Sequence, residues 1–285
     1  MDTAEPSGLS RVAASFARAV ASPDEELDLA LASLAIAQAE YADLVPRTYV
    51  LKLDGLGYTL KDRLGDQRNP YAVIGAINTY LFGELGFKGN VDQYYDPRNT
   101  FLNDVLDRRL GIPITLSTIY MELGRRIGFP FGGVGLPGHF LIKCPEPYNE
   151  VFVDPFNNGA ILSADDCAEL VRRVSGGQVE FQEHFLATVT KKQMLARMLN
   201  NLKGVYLSTQ QYPKALVIVQ LLLTLSPWAL PEIRDRGMIR SYLRDYEGGL
   251  GDLETYLQYC PAADDADVVR HNIDSLKRLL GRQPR

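Results

Sequence analysis

The sequence predicts a mixed α+β protein, in which a helix-rich domain with a small antiparallel sheet is followed by an α-helical repeat region. Three observations predict this fold class. The first part repeats apolar residues at helical spacing, the period changes to that of short strands after Gly128, and a 34-residue spacing recurs after about Lys191. The predicted parts are a helical segment packed on the core, the α+β domain and the repeat region, over residues 1–69, 70–190 and 191–285.

The composition is that of a globular protein and excludes several classes of partner. Of 285 residues, 46% are hydrophobic and 23% are charged, a balance that allows a buried core. The formal net charge of −5 argues against nucleic acid, because proteins that bind phosphate backbones usually carry a basic excess. The acidic first residues, and the lack of an apolar stretch of about 18–20 residues, predict a cytoplasmic protein that does not enter a membrane.

The three cysteines predict neither disulfides nor a zinc site. Cys144, Cys167 and Cys260 are widely spaced without a C-x-x-C pair, and no histidines cluster at ligand spacing. We therefore expect reduced, mostly buried thiols, no bound metal and no cofactor. The sequence leaves the oligomeric state open.

Three helices are predicted before the sheet. Residues 27–44 repeat leucine at helical spacing, with Ser22 and Pro23 as the signals for the helix start. A second helix follows Pro46, and a third runs over 70–85 and ends at a glycine.

The middle of the chain combines two helices with a strand pair. A turn over residues 94–99 precedes two helical segments, 100–111 and 113–128, each of which ends in glycine. Residues 134–144 and 150–156 are short segments rich in Val, Phe, Leu and Ile with prolines between them, which predicts a strand, a turn and an antiparallel return strand. A further helix is predicted to start at Ser163.

The repeat region has the period of tetratricopeptide repeats. Pro227 and Pro261 are 34 residues apart, as are Ala215 and Gly249. The small residues allow two helices to cross closely, so residues 195–261 are predicted to form two antiparallel helix pairs. Helical repeats of this kind dock other proteins, which predicts a protein or peptide partner.

A histidine and an aspartate lie where a catalytic pair would be placed. A helix beginning near Pro113 is followed by a strand bearing His139 and a strand that ends in Asp154. Papain-like and transglutaminase-like sites use this order, with a cysteine at the helix N-terminus, a histidine on a strand and an acid on the next strand. The run from about residue 70 to 170 resembles the transglutaminase-like domain of the SirB1 family. The segments that carry the resemblance are Tyr95–Asn99, Arg109–Pro113, Pro137–Phe140 and Asp154–Phe156.

Aligned on this family, the chain has a proline where the nucleophile should be. The cysteine position falls at or next to Pro113, and proline suits the first position of a helix. Cys144 follows His139 on the same predicted strand and faces the other side of the sheet. Thr115 and Ser117 carry hydroxyls in the first turns of the helix and are the remaining candidate nucleophiles.

Three further residues are candidates for binding, with structural alternatives beside them. Asn99, Asn103 and Arg109 lie in or next to the segments that carry the resemblance. The turn that contains Asp96 and Asn99 is equally what a helix cap requires, and Arg109 fits a solvated face.

Two functions follow from this pattern. The resemblance and the missing cysteine favour a degenerate transglutaminase-like protein that binds or regulates a partner. The alternative is a hydrolase or amide-transferring enzyme, with His139 as general base, Asp154 as its orienting acid, and a hydroxyl or an activated water as nucleophile.

Overall fold

A computed structural model describes residues 8–281, and this range contains twelve α-helices and six short strands in two units. One unit comprises residues 19–198. The other combines residues 8–18 with residues 199–281, so the division falls inside two helices, Gly8–Ala19 and Lys191–Ser208. The boundaries predicted from the sequence, at residues 69 and 190, stay a prediction.

The first unit contains most of the predicted helices. The predicted start at Ser22 and Pro23 is wrong: the helix begins at Leu29, because Asp28 accepts a hydrogen bond of 2.9 Å from the Leu31 N–H and caps it. Asn69 likewise caps the helix that starts at Pro70, whose last turns widen into a π-helix over Thr79–Glu84. The helices are α2 (Leu29–Ala37), α3 (Pro46–Leu64), α4 (Pro70–Asn78), α5 (Leu102–Arg108), α6 (Pro113–Arg126) and α7 (Ala164–Val174).

Helix α6 is the centre of this unit. Eleven of its fourteen residues are buried, and Leu116, Ile119, Tyr120 and Leu123 join the main hydrophobic core. The helix begins at Pro113, as predicted, and Gly128 at φ 79° lies just beyond its end. Helix α5 differs from the prediction, because it ends at a left-handed Arg109 and not at a glycine.

The sheet is four-stranded and antiparallel. Its strands lie in chain order, with Ile142 opposite Val153 at its centre, and these two residues face the core around α6. Leu141 and Phe152 face the other side, where Cys167 and Val171 of α7 cover them. The strands are β3 (Gly132–Val134), β4 (Leu141–Lys143), β5 (Phe152–Asp154) and β6 (Ala160–Leu162), and a separate two-residue parallel pair joins β1 (Lys88–Gly89) to β2 (Leu110–Gly111).

One predicted strand is divided in the structure. Residues 134–144 are not continuous: they form the end of β3, a loop and then β4. His139 lies in that loop, two residues before β4, and not on a strand. The loop can turn because Gly138 adopts φ 72°, a conformation that side chains disfavour.

The second unit is helical. A Cβ placed on Gly249 would lie 2.8 Å from Ser241 Oγ and 3.0 Å from Gly237 O, so the helices approach as closely there as predicted. Ala215 is fully buried. Within residues 8–281 no helix has both the length and the apolar character needed to cross a membrane. The helices are α1 (Gly8–Ala19), α8 (Lys191–Ser208, which begins in the first unit), α9 (Tyr212–Leu225), α10 (Leu230–Tyr242), α11 (Tyr246–Tyr259) and α12 (Ala266–Leu279).

Candidate functional site

His139 and Asp154 form a buried hydrogen-bonded pair. His139 Nε2 lies 2.9 Å from Asp154 Oδ2, which is within the hydrogen-bonding distance that the sequence order of the two residues leads one to expect. Their exposed fractions are 6% and 2%. The geometry of the pair is therefore confirmed, whereas its role stays a prediction.

The hydrogen bonds around Asp154 fix the orientation of the imidazole. Asp154 Oδ1 accepts from the backbone N–H groups of Phe156 and Asn157 at 3.0 and 3.3 Å, and Oδ2 accepts from Asn157 Nδ2 at 2.7 Å. A carboxylate that accepts these bonds has no proton to give, so His139 Nε2 donates to it. In the neutral ring Nδ1 then carries the lone pair, and it makes no hydrogen bond within the described part of the chain.

A row of aromatic rings leads from His139 to the protein surface. The Phe156 ring meets the His139 ring edge-on at 5.9 Å between centroids, and the Tyr94 ring meets Phe156 at 6.0 Å. Tyr95 continues the row at 5.4 Å from Tyr94 and is 78% exposed. Gly89 makes room for this arrangement, because a Cβ there would lie 2.6 Å from Phe156 Cε2.

Neither of the two candidate hydroxyls at the start of α6 forms a hydrogen bond with His139. Thr115 Oγ1 donates to Asn99 O at 2.7 Å and accepts from the Ile112 N–H at 3.1 Å, so it completes the helix cap. Ser117 Oγ is buried and has no hydrogen-bond partner within residues 8–281. Among the described residues, Asp154 is the one side chain hydrogen-bonded to His139.

The thiols do not supply a nucleophile either. Cys144 and Cys167 are buried, and burial raises their pKa values to about 11 and about 12; the charges of Asp166 and Asp154 add to the effect at Cys167. Both thiols are therefore protonated near neutral pH. Cys260 is partly exposed and lies in the other unit.

The candidate binding residues have different surroundings. Asn99 is fully buried and its side chain is occupied: Oδ1 accepts from Asn90 Nδ2 at 2.9 Å and Nδ2 donates to Gln93 O at 2.7 Å. Asn103 is 5% exposed, and its Oδ1 has no partner among the described residues. Arg109 is exposed, while its backbone oxygen accepts from the Lys88 N–H at 2.9 Å.

The structural alternative for the turn at residues 94–99 is confirmed. Asp96 caps a short 3₁₀ helix over Pro97–Asn99 by accepting from the Arg98 N–H at 2.9 Å. The hydrogen bond from Arg98 and the charge of Arg108 outweigh the effect of burial and lower the pKa of Asp96. A binding role for Asn99, Asn103 or Arg109 stays a prediction.

Sequence reasoning missed one charged residue at the site. Arg197 of α8 donates from Nη2 to Leu136 O at 2.9 Å and to His139 O at 2.7 Å, and it thereby holds the loop that carries His139. Nothing in the sequence pattern singles it out, because it is one basic residue in an amphipathic helix 58 positions away from His139. Within residues 8–281 no three His, Cys, Asp or Glu side chains are grouped so that they could hold a metal ion.

Comparisons with known proteins match both parts of the chain. The profile described as transglutaminase-like superfamily covers residues 47–200, and that of the tetratricopeptide repeat covers 202–274. A UPF0162 protein of Xylella fastidiosa is 38% identical over 256 residues, which is 88% of this chain and 91% of the relative. A UPF0162 protein of Vibrio cholerae is 30% identical over 211 residues, or 74% and 78% of the two chains.

A third relative matches a smaller share of the chain. F-box only protein 21 of Mus musculus is 34% identical over 138 residues, which is 46% of this chain and 21% of that protein. The predicted order, a transglutaminase-like domain followed by tetratricopeptide repeats, is confirmed by the two profiles. This pair of domains indicates a protein-interaction module.

Proposed function

Because the chain belongs to the transglutaminase-like superfamily, with the UPF0162 proteins as relatives, we propose that it is a degenerate member that binds a partner without acylating it. In this proposal a segment of a partner protein lies beside His139, and the bound partner is regulated by occupancy and not by chemistry. The repeat helices provide a second, separate surface for protein contact. The cytoplasmic location stays a prediction.

The observation that carries the proposal is that no thiol or hydroxyl of residues 8–281 is hydrogen-bonded to the histidine. Covalent catalysis requires a thiol or hydroxyl within about 3 Å of the base. Asp154 is the one side chain of residues 8–281 that is hydrogen-bonded to His139, and Pro113 begins the helix where the resemblance expects the cysteine. Thr115 uses its hydroxyl in the helix cap.

The aromatic row supports binding of a peptide segment. Tyr94, Tyr95 and Phe156 provide apolar area with polar groups at its outer end, a combination that is common at the centres of protein interfaces. Two of these rings are substantially exposed, at 37% for Tyr94 and 78% for Tyr95. A peptide side chain can therefore pack on the row without a rearrangement of the core.

A second candidate function rests on the state of the imidazole. With Nε2 bound to Asp154, Nδ1 of the neutral ring is a base, which is the arrangement needed to activate a water molecule. The alternative is therefore a hydrolase that cleaves the bound segment with water as the nucleophile.

Site-specific photo-cross-linking tests the binding proposal. Tyr95→p-benzoylphenylalanine places a photoreactive ring at the outer end of the row, and the same substitution at Tyr58 of α3 is the control. The two tyrosines are matched, because they are 78% and 76% exposed in the same unit. We expect one partner segment to be captured at Tyr95 and not at Tyr58. The same products at both positions, or none at Tyr95, would refute peptide binding beside His139.

The captured segment then separates the two functions. It is synthesised, incubated with wild-type protein and with His139→Gln, and followed by intact mass. If the chain only binds the segment, the peptide stays uncut in both samples. Cleavage by the wild-type protein alone would establish the hydrolase.

A further inference from the structure

Arg197 brings a positive charge to the site without a neutralising acid. Its guanidinium contacts two backbone carbonyls, at Leu136 and His139, and lies over the Phe140 ring at 5.5 Å. No carboxylate in residues 8–281 forms an ion pair with it within 4.0 Å. Arg197 is partly buried, and neither Nε nor Nη1 is a fully buried atom, so these N–H groups remain accessible to an anion.

Arg197 has more N–H donors than it has hydrogen bonds to the described residues. A guanidinium has five N–H donors, and the two hydrogen bonds recorded both come from Nη2. Nε and Nη1 make no hydrogen bond within the described residues. Burial lowers the pKa of Arg197, which is the direction expected for a cation with too little compensation.

The unpaired charge lies at the same site as the aromatic row. Arg197 Nη2 is 2.7 Å from the backbone oxygen of His139, whose ring begins the row. Arg197 is also close enough to Tyr94, the third ring of the row, for each of these two groups to affect the pKa of the other. An anion bound to the guanidinium would therefore lie beside the surface proposed for the peptide.

We propose that Arg197 binds a carboxylate of the peptide segment that packs on Phe156, Tyr94 and Tyr95. The inference rests on the proposed function and adds the chemistry that selects the segment. The two N–H groups of Nη2 are used on backbone oxygens, so Nε or Nη1 would donate a single hydrogen bond to the carboxylate. Such charge-assisted hydrogen bonds are stronger than neutral ones. The carboxylate is either the C-terminus of a chain or the side chain of an Asp or Glu next to an aromatic residue.

Three small probes test this selection. N-acetyl-phenylalanine carries a terminal carboxylate, N-acetyl-phenylalaninamide has the same ring without charge, and N-acetyl-aspartyl-phenylalaninamide carries a side-chain carboxylate. Each is titrated into isotope-labelled protein while the NMR signals of the His139 ring are followed. We expect at least one carboxylate probe to bind about tenfold more tightly than the uncharged amide, and the better of the two identifies the source of the carboxylate.

Variants at Arg197 assign the selection to its side chain. In Arg197→Gln the preference for carboxylate should fall below about twofold, whereas Arg197→Lys keeps the charge and part of the preference. Arg47→Gln, at an exposed position of α3, is the matched control for loss of one positive charge and should keep the full preference. Should Arg197→Gln fail to fold, the comparison of probes in wild type and in Arg197→Lys still decides.

The outcomes separate this inference from the function on which it rests. Equal affinities for the carboxylate probes and the amide would overturn the role of Arg197 but leave peptide binding intact. The same holds if no probe shifts the His139 signals while Tyr95 still cross-links to a partner segment. A carboxylate preference that survives in Arg197→Gln would likewise overturn the assignment.

Discussion

Replacing Gly89 by alanine is expected to push Phe156 out of the aromatic row. The new Cβ would lie 2.6, 2.7 and 2.9 Å from three atoms of the Phe156 ring, whereas carbon atoms in contact are normally about 3.5–4.0 Å apart. The ring must therefore move by about 1 Å. Because Phe156 packs against both His139 and Tyr94, this displacement reaches the whole candidate site.

The cost in stability can be worked from the same contact. Overpacking of this kind costs about 1–3 kcal/mol, and the lower backbone entropy of alanine in the unfolded chain returns about 0.5–1 kcal/mol. The net loss is about 0–2.5 kcal/mol in the free energy of unfolding, and the value near ~1.2 kcal/mol at the centre of this range lowers Tm by roughly 2–5 °C in a unit of this size. Gly75→Ala is the matched control, because Gly75 lies in α4 with nothing within 4 Å of its added Cβ.

Thermal unfolding and NMR together provide the assay. Gly75→Ala should raise Tm slightly, since alanine favours the helix by about 0.5–1 kcal/mol, and should leave the His139 ring signals in place. Gly89→Ala should lower Tm and shift those signals. Unchanged His139 signals in Gly89→Ala, or a rise in Tm equal to that of Gly75→Ala, would refute the packing of Phe156 described above.

Three further predictions concern the repeat helices, the thiols and the missing nucleophile. Because Ala215 is fully buried, Ala215→Leu should lower the free energy of unfolding, measured by chemical denaturation, by about 1–3 kcal/mol. The exposed control Ala262→Leu should change this free energy by less than about 0.5 kcal/mol. Equal effects of the two substitutions would contradict the close crossing. In native protein near pH 7, iodoacetamide should modify at most Cys260, since the raised pKa values keep the thiols of Cys144 and Cys167 protonated. Intact-mass measurement of labelled wild type and Cys260→Ser checks this prediction. Rapid labelling that persists in Cys260→Ser would contradict it. Pro113→Cys should add a reactive thiol at the N-terminus of α6, where the helix dipole lowers the pKa of the thiol. Adding His139→Gln to this variant should slow the labelling of the new thiol. Equal labelling rates in the single and the double variant would show that position 113 does not face His139.

The sequence predicts the helices and the fold class well because their signals are local. Pro46, Pro70 and Pro113 each begin a helix as expected, since proline favours the first helical position. The errors also have local causes. Ser22 and Pro23 carry a valid start signal, but Asp28 lies directly before the apolar run and caps the helix instead. Arg109 adopts the left-handed conformation that the sequence assigns to glycine.

The site was predictable only in part, because its parts come from distant segments. His139 and Asp154 are near in sequence, and the strand-turn-strand pattern between them is enough to predict their contact. Arg197 reaches the same loop from another helix and donates hydrogen bonds to backbone carbonyls. Every residue type has such a carbonyl, so the sequence does not show which residues accept these bonds. Backbone acceptors of this kind can be found only from coordinates.

The two members of the buried pair differ in how far the fold accounts for them. Asp154 ends β5 and caps the following turn, where its oxygens accept bonds from Phe156 and Asn157 that do not involve His139. The side chain of Asp154 therefore has a structural role as a cap that is independent of His139. His139 contributes one hydrogen bond to Asp154, and its Nδ1 has no partner in residues 8–281. Unlike Ser117 Oγ, Nδ1 is not a fully buried polar atom, so it is the atom of the pair that a ligand or a water molecule can reach.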